Sequence, residues 1–356
     1  KNEGALTNMR KVYLDYSATT PVKEEVLKEM IPYFTEKFGN PSSLYDIGLE
    51  SKEAVTHARE QVAALINAKP QEIYFTAGGT EADNWAVFGT VEKLKSKGNH
   101  IITTKIEHHA MLHSCAFLEK EGCQITYLDI DHEGRIDLKQ LEDAITDKTV
   151  LISIMLVNNE IGTIQPVKEA AAIAKKHGIL FHTDAVQGLG NVPIDVKDMG
   201  VDMMSVSSHK IYGPKGSGAL YIRKGVNIAN YMHGGGQESR KRAGTENLAG
   251  IVGFGKAAEL ARINFDSHVK HCAKLRDYLK DRILSEIPDT FVNGAMEGRH
   301  PGNLNITFKY IEGESILLLL NQYGISVSTG SACSSASLEP SHVLSALGVP
   351  VEMIHG

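Results

Sequence analysis

The sequence predicts an α/β protein: a mostly parallel central sheet with helices on both faces, followed by a smaller α+β unit. Three observations predict it. Short β-rich runs alternate with helix-length segments, and most of those runs are apolar throughout, as strands covered on both faces must be. Polar, chemistry-bearing residues gather where the runs end, which is the edge at which doubly wound sheets place their sites. At 356 residues, 42% of them hydrophobic, the chain is long enough to bury a large core and to divide into two domains.

Taken in order, residues 1–8 precede a Met-Arg-Lys start at Met9 and read as an upstream or appended leader without function. The β-rich runs are "EIYFTA" (72–77), "HIITTK" (100–105), "QITYLDI" (124–130), "TVLISIMLV" (149–157), "GILFHTD" (178–184) and "VDMMSVS" (201–207). Helix-length segments at 80–97, 109–121 and 166–177 lie between them, which suits crossover connections in a parallel sheet. From 246 to 287 the pattern turns long and helical; "NLNITF" (303–308), a helix over 313–322 and "GISVS" (324–328) then form the smaller unit. This organisation predicts a large domain over 17–260 and a small one made of 9–16 and 261–356. No repeat or low-complexity tract interrupts it.

A net charge of −6 offers no general attraction to nucleic acid or to an anionic membrane, and the basic cluster Arg240-Lys241-Arg242 is too short to change that. No apolar run approaches 18 residues, so a soluble, cytoplasmic protein is expected. Four cysteines at irregular spacing, with no CxxC, indicate neither a disulfide framework nor a zinc knuckle.

Five successive elements deliver polar groups to one sheet edge. Run 72–77 leads into Gly78-Gly79-Thr80-Glu81, a helix start whose N–H groups and dipole suit a phosphate. Run 100–105 is followed by Glu107-His108-His109, run 149–157 by Asn158-Asn159-Glu160, and run 178–184 ends in His182-Thr183-Asp184 with Gln187 one turn on. The last run ends in Ser207, His209 and Lys210, followed by Gly213, Gly216 and Gly218. Singly, each has a plainer reading: Asp184 as a helix N-cap, His108 as an ordinary histidine, Lys210 as a surface lysine. His108, His109 and His113 lack an acidic partner at helical spacing, which argues against zinc. As a set they suit a cofactor with a phosphate, an aromatic ring, a ring nitrogen that wants an acid and an aldehyde that wants an amine. Pyridoxal 5′-phosphate (PLP) has all four.

The segments "YLDYSATTP" (13–21), "GNPSS" (39–43), "GGTEADN" (78–84), "EHHAML" (107–112), "VNNEIGTIQP" (157–166), "HTDAVQ" (182–187), "SSHKIYGPKG" (207–216) and "TGSACSSASLEPSHVLSALG" (329–348) resemble the group I cysteine desulfurases, the NifS/IscS-like PLP enzymes. The resemblance runs in order from about residue 11 to the end. It implies the aspartate aminotransferase-like fold (PLP fold type I), a homodimer, and removal of sulfur from L-cysteine to give L-alanine and an enzyme persulfide. The persulfide implies a sulfur-acceptor partner, such as an iron–sulfur scaffold or a thiolation relay.

Residue by residue, the resemblance makes Lys210 the amine that bonds the cofactor aldehyde, Asp184 the partner of the pyridine nitrogen, and His108 the ring-stacking acid/base. Gln187 and Asn159 would address the phenolic oxygen and the substrate. Thr80, Ser207 and His209 would hold the phosphate beside Gly79, and Thr245 in "RAGTEN" would reach the phosphate of the other subunit. Cys333, set among small residues, would be the nucleophile that takes the sulfur; an incidental thiol in a linker is the plainer alternative. Cys115, Cys123 and Cys272 match no family motif and read as structural. The family pattern continues beyond "VPVEMIHG" to an arginine for the substrate carboxylate; either the given chain is shorter than the natural one, which is the expectation, or the protein lacks that group and binds its substrate more weakly. A selenocysteine lyase or an aminotransferase on the same scaffold, and a catalytically silent sulfur-relay protein, are the alternative readings; Cys333 with its loop argues against an aminotransferase, and the presence of Lys210 and Asp184 against a silent relay.

Overall fold

A computed structural model of the protein describes residues 10–330 and 340–354. Its strands, in chain order, are β1 (Val12–Tyr13), β2 (Ile73–Thr76), β3 (His100–Thr104), β4 (Gln124–Leu128), β5 (Thr149–Ser153), β6 (Leu180–Asp184), β7 (Met203–Ser207), β8 (Gly218–Ile222), β9 (Thr290–Val292), β10 (Ile306–Phe308) and β11 (Ile325–Ser326). Seven of them form one sheet in the order β2-β8-β7-β6-β5-β3-β4. Pairing is parallel from β4 through β7, and only β8 runs against its neighbours. Six of the seven are β-rich runs of the sequence; β8 is not among them, because its short "GALYI" follows the glycine-rich loop directly and carries no break of its own.

Alternation along each strand divides the core in two. Ile102, Ile152, Phe181 and Met204 point to one face, where the helices Asp46–Leu65, Val167–Lys176 and Leu248–Ile263 cover them. Their chain neighbours Ile101, Leu151 and Met203 point to the other, beneath the helices Gly79–Leu94 and His109–Lys120. A sheet sandwiched in this way has near-continuous apolar strands because neither face meets water. The run predicted over 149–157 leaves the sheet after Ser153, while Ile154 and Leu156 still donate to the carbonyls of His182 and Asp184.

The helical stretch predicted over 246–287 is two helices, Leu248–Ile263 and Phe265–Glu286; the second buries none of its residues. β9 and β10 pair antiparallel, and β1 pairs with β11, so residues 12–13 lie beside residues 325–326. Among the described residues no helix is long and apolar enough to cross a membrane.

Candidate active site

The carboxyl ends of β5, β6 and β7 point the same way, and the antiparallel β8 begins beside the end of β7, where Ser207 pairs with Gly218. Gly218 permits the packing behind the turn after β2: a Cβ there would lie 2.7 Å from the Gly78 backbone. The turn opens the helix Gly79–Leu94 and borders a cavity of about 570 Å³ lined by Gly78, Gly79, Thr80, Asn84, Ser207, His209, Lys215 and others. The first N–H groups of a helix have no acceptor within it, and here the residues that carry them line the cavity together with Lys215. Gly79, Thr80, Ser207 and His209, taken from the resemblance as phosphate ligands, are thus brought to one concave surface, which Lys215 and the Arg242-paired Glu81 also line. Their donor set fits a phosphate dianion.

Lys210 ends the short 3₁₀ turn Ser208–Lys210 that leaves β7. It is half-buried, and its Nζ donates to the carbonyl of Ser17 and to that of Ala18, the latter at 2.9 Å. Gln187 Nε2 donates to the same Ser17 carbonyl at 2.9 Å, so the segment around Ser17 and Ala18 joins two predicted site residues. Thr20 fixes that segment: its hydroxyl donates to the His209 carbonyl (2.9 Å) and accepts the Tyr212 N–H (2.9 Å).

Asp184 closes β6, buried, with its Oδ1 accepting the Val186 N–H at 2.9 Å. Burial raises its carboxyl to about 6, against the Val186 hydrogen bond and the charge of Lys210, both of which favour the anion. A cation at this carboxylate would relieve the burial penalty, which is what a protonated pyridine nitrogen supplies. Asp83, His182 and Ser205 form a dry polar group close by, with His182 bonded to Ser153 and Ser205 (2.8 and 2.9 Å). Burial foremost, then the Asp184 charge, raises Asp83 well above the usual carboxylate range.

His108 is the N-cap of the helix His109–Lys120, its Nδ1 accepting the Ala110 N–H at 3.1 Å. The neutral ring therefore carries its proton on Nε2. Burial, with the charges of His109 and Lys210 adding to it, lowers it to about 4, so it is neutral at pH 7. His109 instead packs its ring against His113 and His342, at 5.0 and 4.8 Å between centroids. Of the two asparagines after β5, Asn158 spends its side chain on the Ile106 carbonyl and the N–H groups of Glu160 and Ile161, whereas Asn159 is half-buried. Thr245 is exposed and does not line the cavity. Cys333 lies outside the described residues.

The profile of the class V aminotransferases matches residues 12–351. The chain belongs to that family. It is 56% identical to the cysteine desulfurase IscS of Methanosarcina thermophila, over all of this chain and 88% of that protein. Among solved structures, a NifS-like protein superimposes with a TM-score of 0.92 at 40% identity, over 98% of this chain and 92% of the other. A second, described as SspA in complex with cysteine, gives 0.85 at 37% identity over 97% and 96%. Members of this family are PLP enzymes, and their fold type I architecture is the one described above.

Two site groups escape the sequence, and Glu107 stands there only as one of the polar groups at the strand ends, with no role assigned. Ser17 and Ala18 act through backbone carbonyls, which no side-chain pattern reveals. Glu107 is fully buried, its Oε1 accepting from Thr104 Oγ1 (2.8 Å) and the Met155 N–H (3.0 Å), and burial pushes it up to about 8. Its place directly before His108 is the available signal.

Proposed function

We infer that the protein is a PLP-dependent cysteine desulfurase that converts L-cysteine to L-alanine and passes the sulfur to Cys333. One observation carries this reading: an amine, Lys210, and a buried carboxylate, Asp184, stand at adjacent strand ends beside an anion cavity, in a chain closely similar to curated cysteine desulfurases. Thr80, Ser207, His209 and the first-turn N–H groups would hold the phosphate. Asp184 would hold a proton at the ring nitrogen, and His108, a neutral Nε2 donor, would lie against the ring. Gln187 would address the phenolic oxygen and Asn159 the substrate.

When bound, the cofactor supplies an aldehyde that condenses with amines and a ring that takes up electrons released at the attached carbon. The protein's part is to place groups and protons. The carbonyls of Ser17 and Ala18 orient the Lys210 ammonium, which must shed a proton to act as a nucleophile and can return one to the substrate carbon. The Cys333 thiolate attacks the substrate sulfur; a sulfur–sulfur bond forms as the carbon–sulfur bond breaks, and the released carbon is protonated. Thiol and cysteine thus become persulfide and alanine with no external oxidant.

Transfer onward requires an acceptor thiol or scaffold, and we place the reaction in the cytoplasm, where thiols stay reduced. We also read the protein as a homodimer. Thr245 is exposed and outside the cavity lining, as a residue reaching a partner's site must be, and Phe34, Phe38, Leu44 and Tyr45 form an exposed apolar stretch that a second copy would cover. Residues 17–260 are proposed as the cofactor-binding domain, and 9–16 with 261–356 as the smaller one.

The test is to supply PLP and L-cysteine to wild type and to Cys333→Ala, measuring sulfide under reducing conditions and alanine. Turnover only with Cys333 present supports the reading; equal turnover in the variant removes Cys333 from the mechanism, and a protein that binds no PLP removes the cofactor.

A further inference from the structure

Three successive non-glycine residues, Glu238, Ser239 and Arg240, have left-handed backbones, with φ of 46°, 57° and 66°. L-residues avoid this conformation because Cβ crowds the following carbonyl, and they visit it singly rather than in runs. Strain of this kind persists only where the surroundings over-determine it, and here the surroundings are specific. The Glu238 carboxylate is buried and takes both Nη atoms of Arg59 at 2.7 Å, while its Oε2 also accepts the Phe75 N–H at 2.9 Å. Arg59 Nη1 donates to the Ile73 carbonyl at 2.6 Å, and its guanidinium lies 4.7 Å from the Phe75 ring centroid. Among the described residues β2 has a sheet neighbour only in β8, and the ion pair satisfies the Ile73 carbonyl and the Phe75 N–H on that strand.

Two residues beyond the turn, Arg242 forms a fork with Glu81 through Nε (2.7 Å) and Nη2 (2.9 Å), and Glu81 Oε2 accepts the Ala77 N–H at 2.8 Å. The segment therefore grips β2 before the phosphate turn and the helix after it. Bidentate arginine–carboxylate pairs fix direction as well as distance, and the turn between the two grips, Ala77–Thr80, lines the cavity.

We propose that the left-handed turn Glu238–Ser239–Arg240, locked by the Glu238–Arg59 pair, is a positioning device for the anion cup, acting through Arg242 and Glu81 on Ala77–Thr80. Glu238 and Arg242 are positioning residues: neither lines the cavity. The proposal rests on the reading that this cavity takes the phosphate of PLP. It requires that loosening the device weakens capture of the phosphate and leaves capture of the ring unchanged.

The experiment uses the full chain stripped of cofactor, as wild type, Glu238→Gln and Arg242→Gln. Each is titrated separately with PLP and with pyridoxal, which lacks the phosphate, followed by visible absorbance and by the fluorescence of Trp85, the one tryptophan of the sequence. Losing a charge-assisted anchor of the cup should raise the PLP dissociation constant at least about tenfold while the pyridoxal constant stays within about twofold. An equal loss for both ligands would indicate a structural role and overturn the proposal, as would undiminished PLP affinity. A wild type that binds neither compound overturns the cofactor reading and this proposal with it. If Glu238→Gln does not fold, Arg242→Gln, which leaves the Glu238–Arg59 pair in place, decides the matter by the same criteria.

Discussion

Glu107→Gln replaces a buried, ionisable carboxyl by an amide of nearly the same shape. The glutamate sits with no exposed surface under the strand ends, its Oε2 without a hydrogen-bond partner among the described residues. Burial raises its carboxyl from 4.5 to about 8, so the folded protein keeps a proton that the unfolded chain releases. A folded-state value above the unfolded one means that stability falls as pH rises between the two. Each pH unit inside that window costs about 1.4 kcal/mol. Between pH 6 and pH 9 the slope acts until about pH 8 and then flattens, so wild type should lose roughly 2–3 kcal/mol on this group alone. Glutamine is neutral throughout and can accept from Thr104 and Met155 with its amide oxygen. Thermal midpoints of the two proteins, measured from pH 6 to pH 9, should therefore diverge, with the variant holding up better at the alkaline end. Parallel curves would refute the assignment of a proton to Glu107 and the idea that this site is dry.

Gly79→Ala places a Cβ 2.6 Å from Val186 Cγ2, an overpacking worth about 1–3 kcal/mol; Val186→Ala should suppress most of that cost in the double variant, and a thermal-shift cycle with additive effects would exclude the contact. Lys210→Arg keeps a cation and donors for the Ser17 and Ala18 carbonyls but offers no nucleophilic amine at accessible pH. Turnover should disappear in it and the visible band of the PLP-loaded protein should shift to that of the free aldehyde, and retained turnover would show that Lys210 acts only as a charge. Asp184→Asn removes a buried charge from a water-excluded site, so kcat should fall by about a hundredfold or more with PLP still bound; an unchanged kcat would detach Asp184 from the chemistry.

Much of the site is local in the sequence because of how a parallel sheet works. Successive strands end at one edge, so Thr80, His108, Asn159, Asp184 and Lys210 can be read as neighbours although they span more than a hundred positions. The missed strand β8 shows the limit: its five residues are buried through contacts with β2 and β7, which no periodicity within "GALYI" discloses. Asn158 and Asn159 look alike in the sequence, and only the turn that consumes the Asn158 side chain separates them.

By itself the sequence determined the alternation of strands and helices, the residue types at the strand ends and therefore the chemistry available there. These follow from side-chain identity and short-range spacing, which the chain carries wherever it folds. Only the tertiary structure decided which groups are charged and how they are held. Ser17 and Ala18 meet Lys210 across some 190 positions, Arg59 meets Glu238 across 179, and Glu107, Asp184 and His108 shift their protonation because packing withdraws water from them. Desolvation and long-range hydrogen bonding depend on what the rest of the chain brings near, and that is a property of the folded whole.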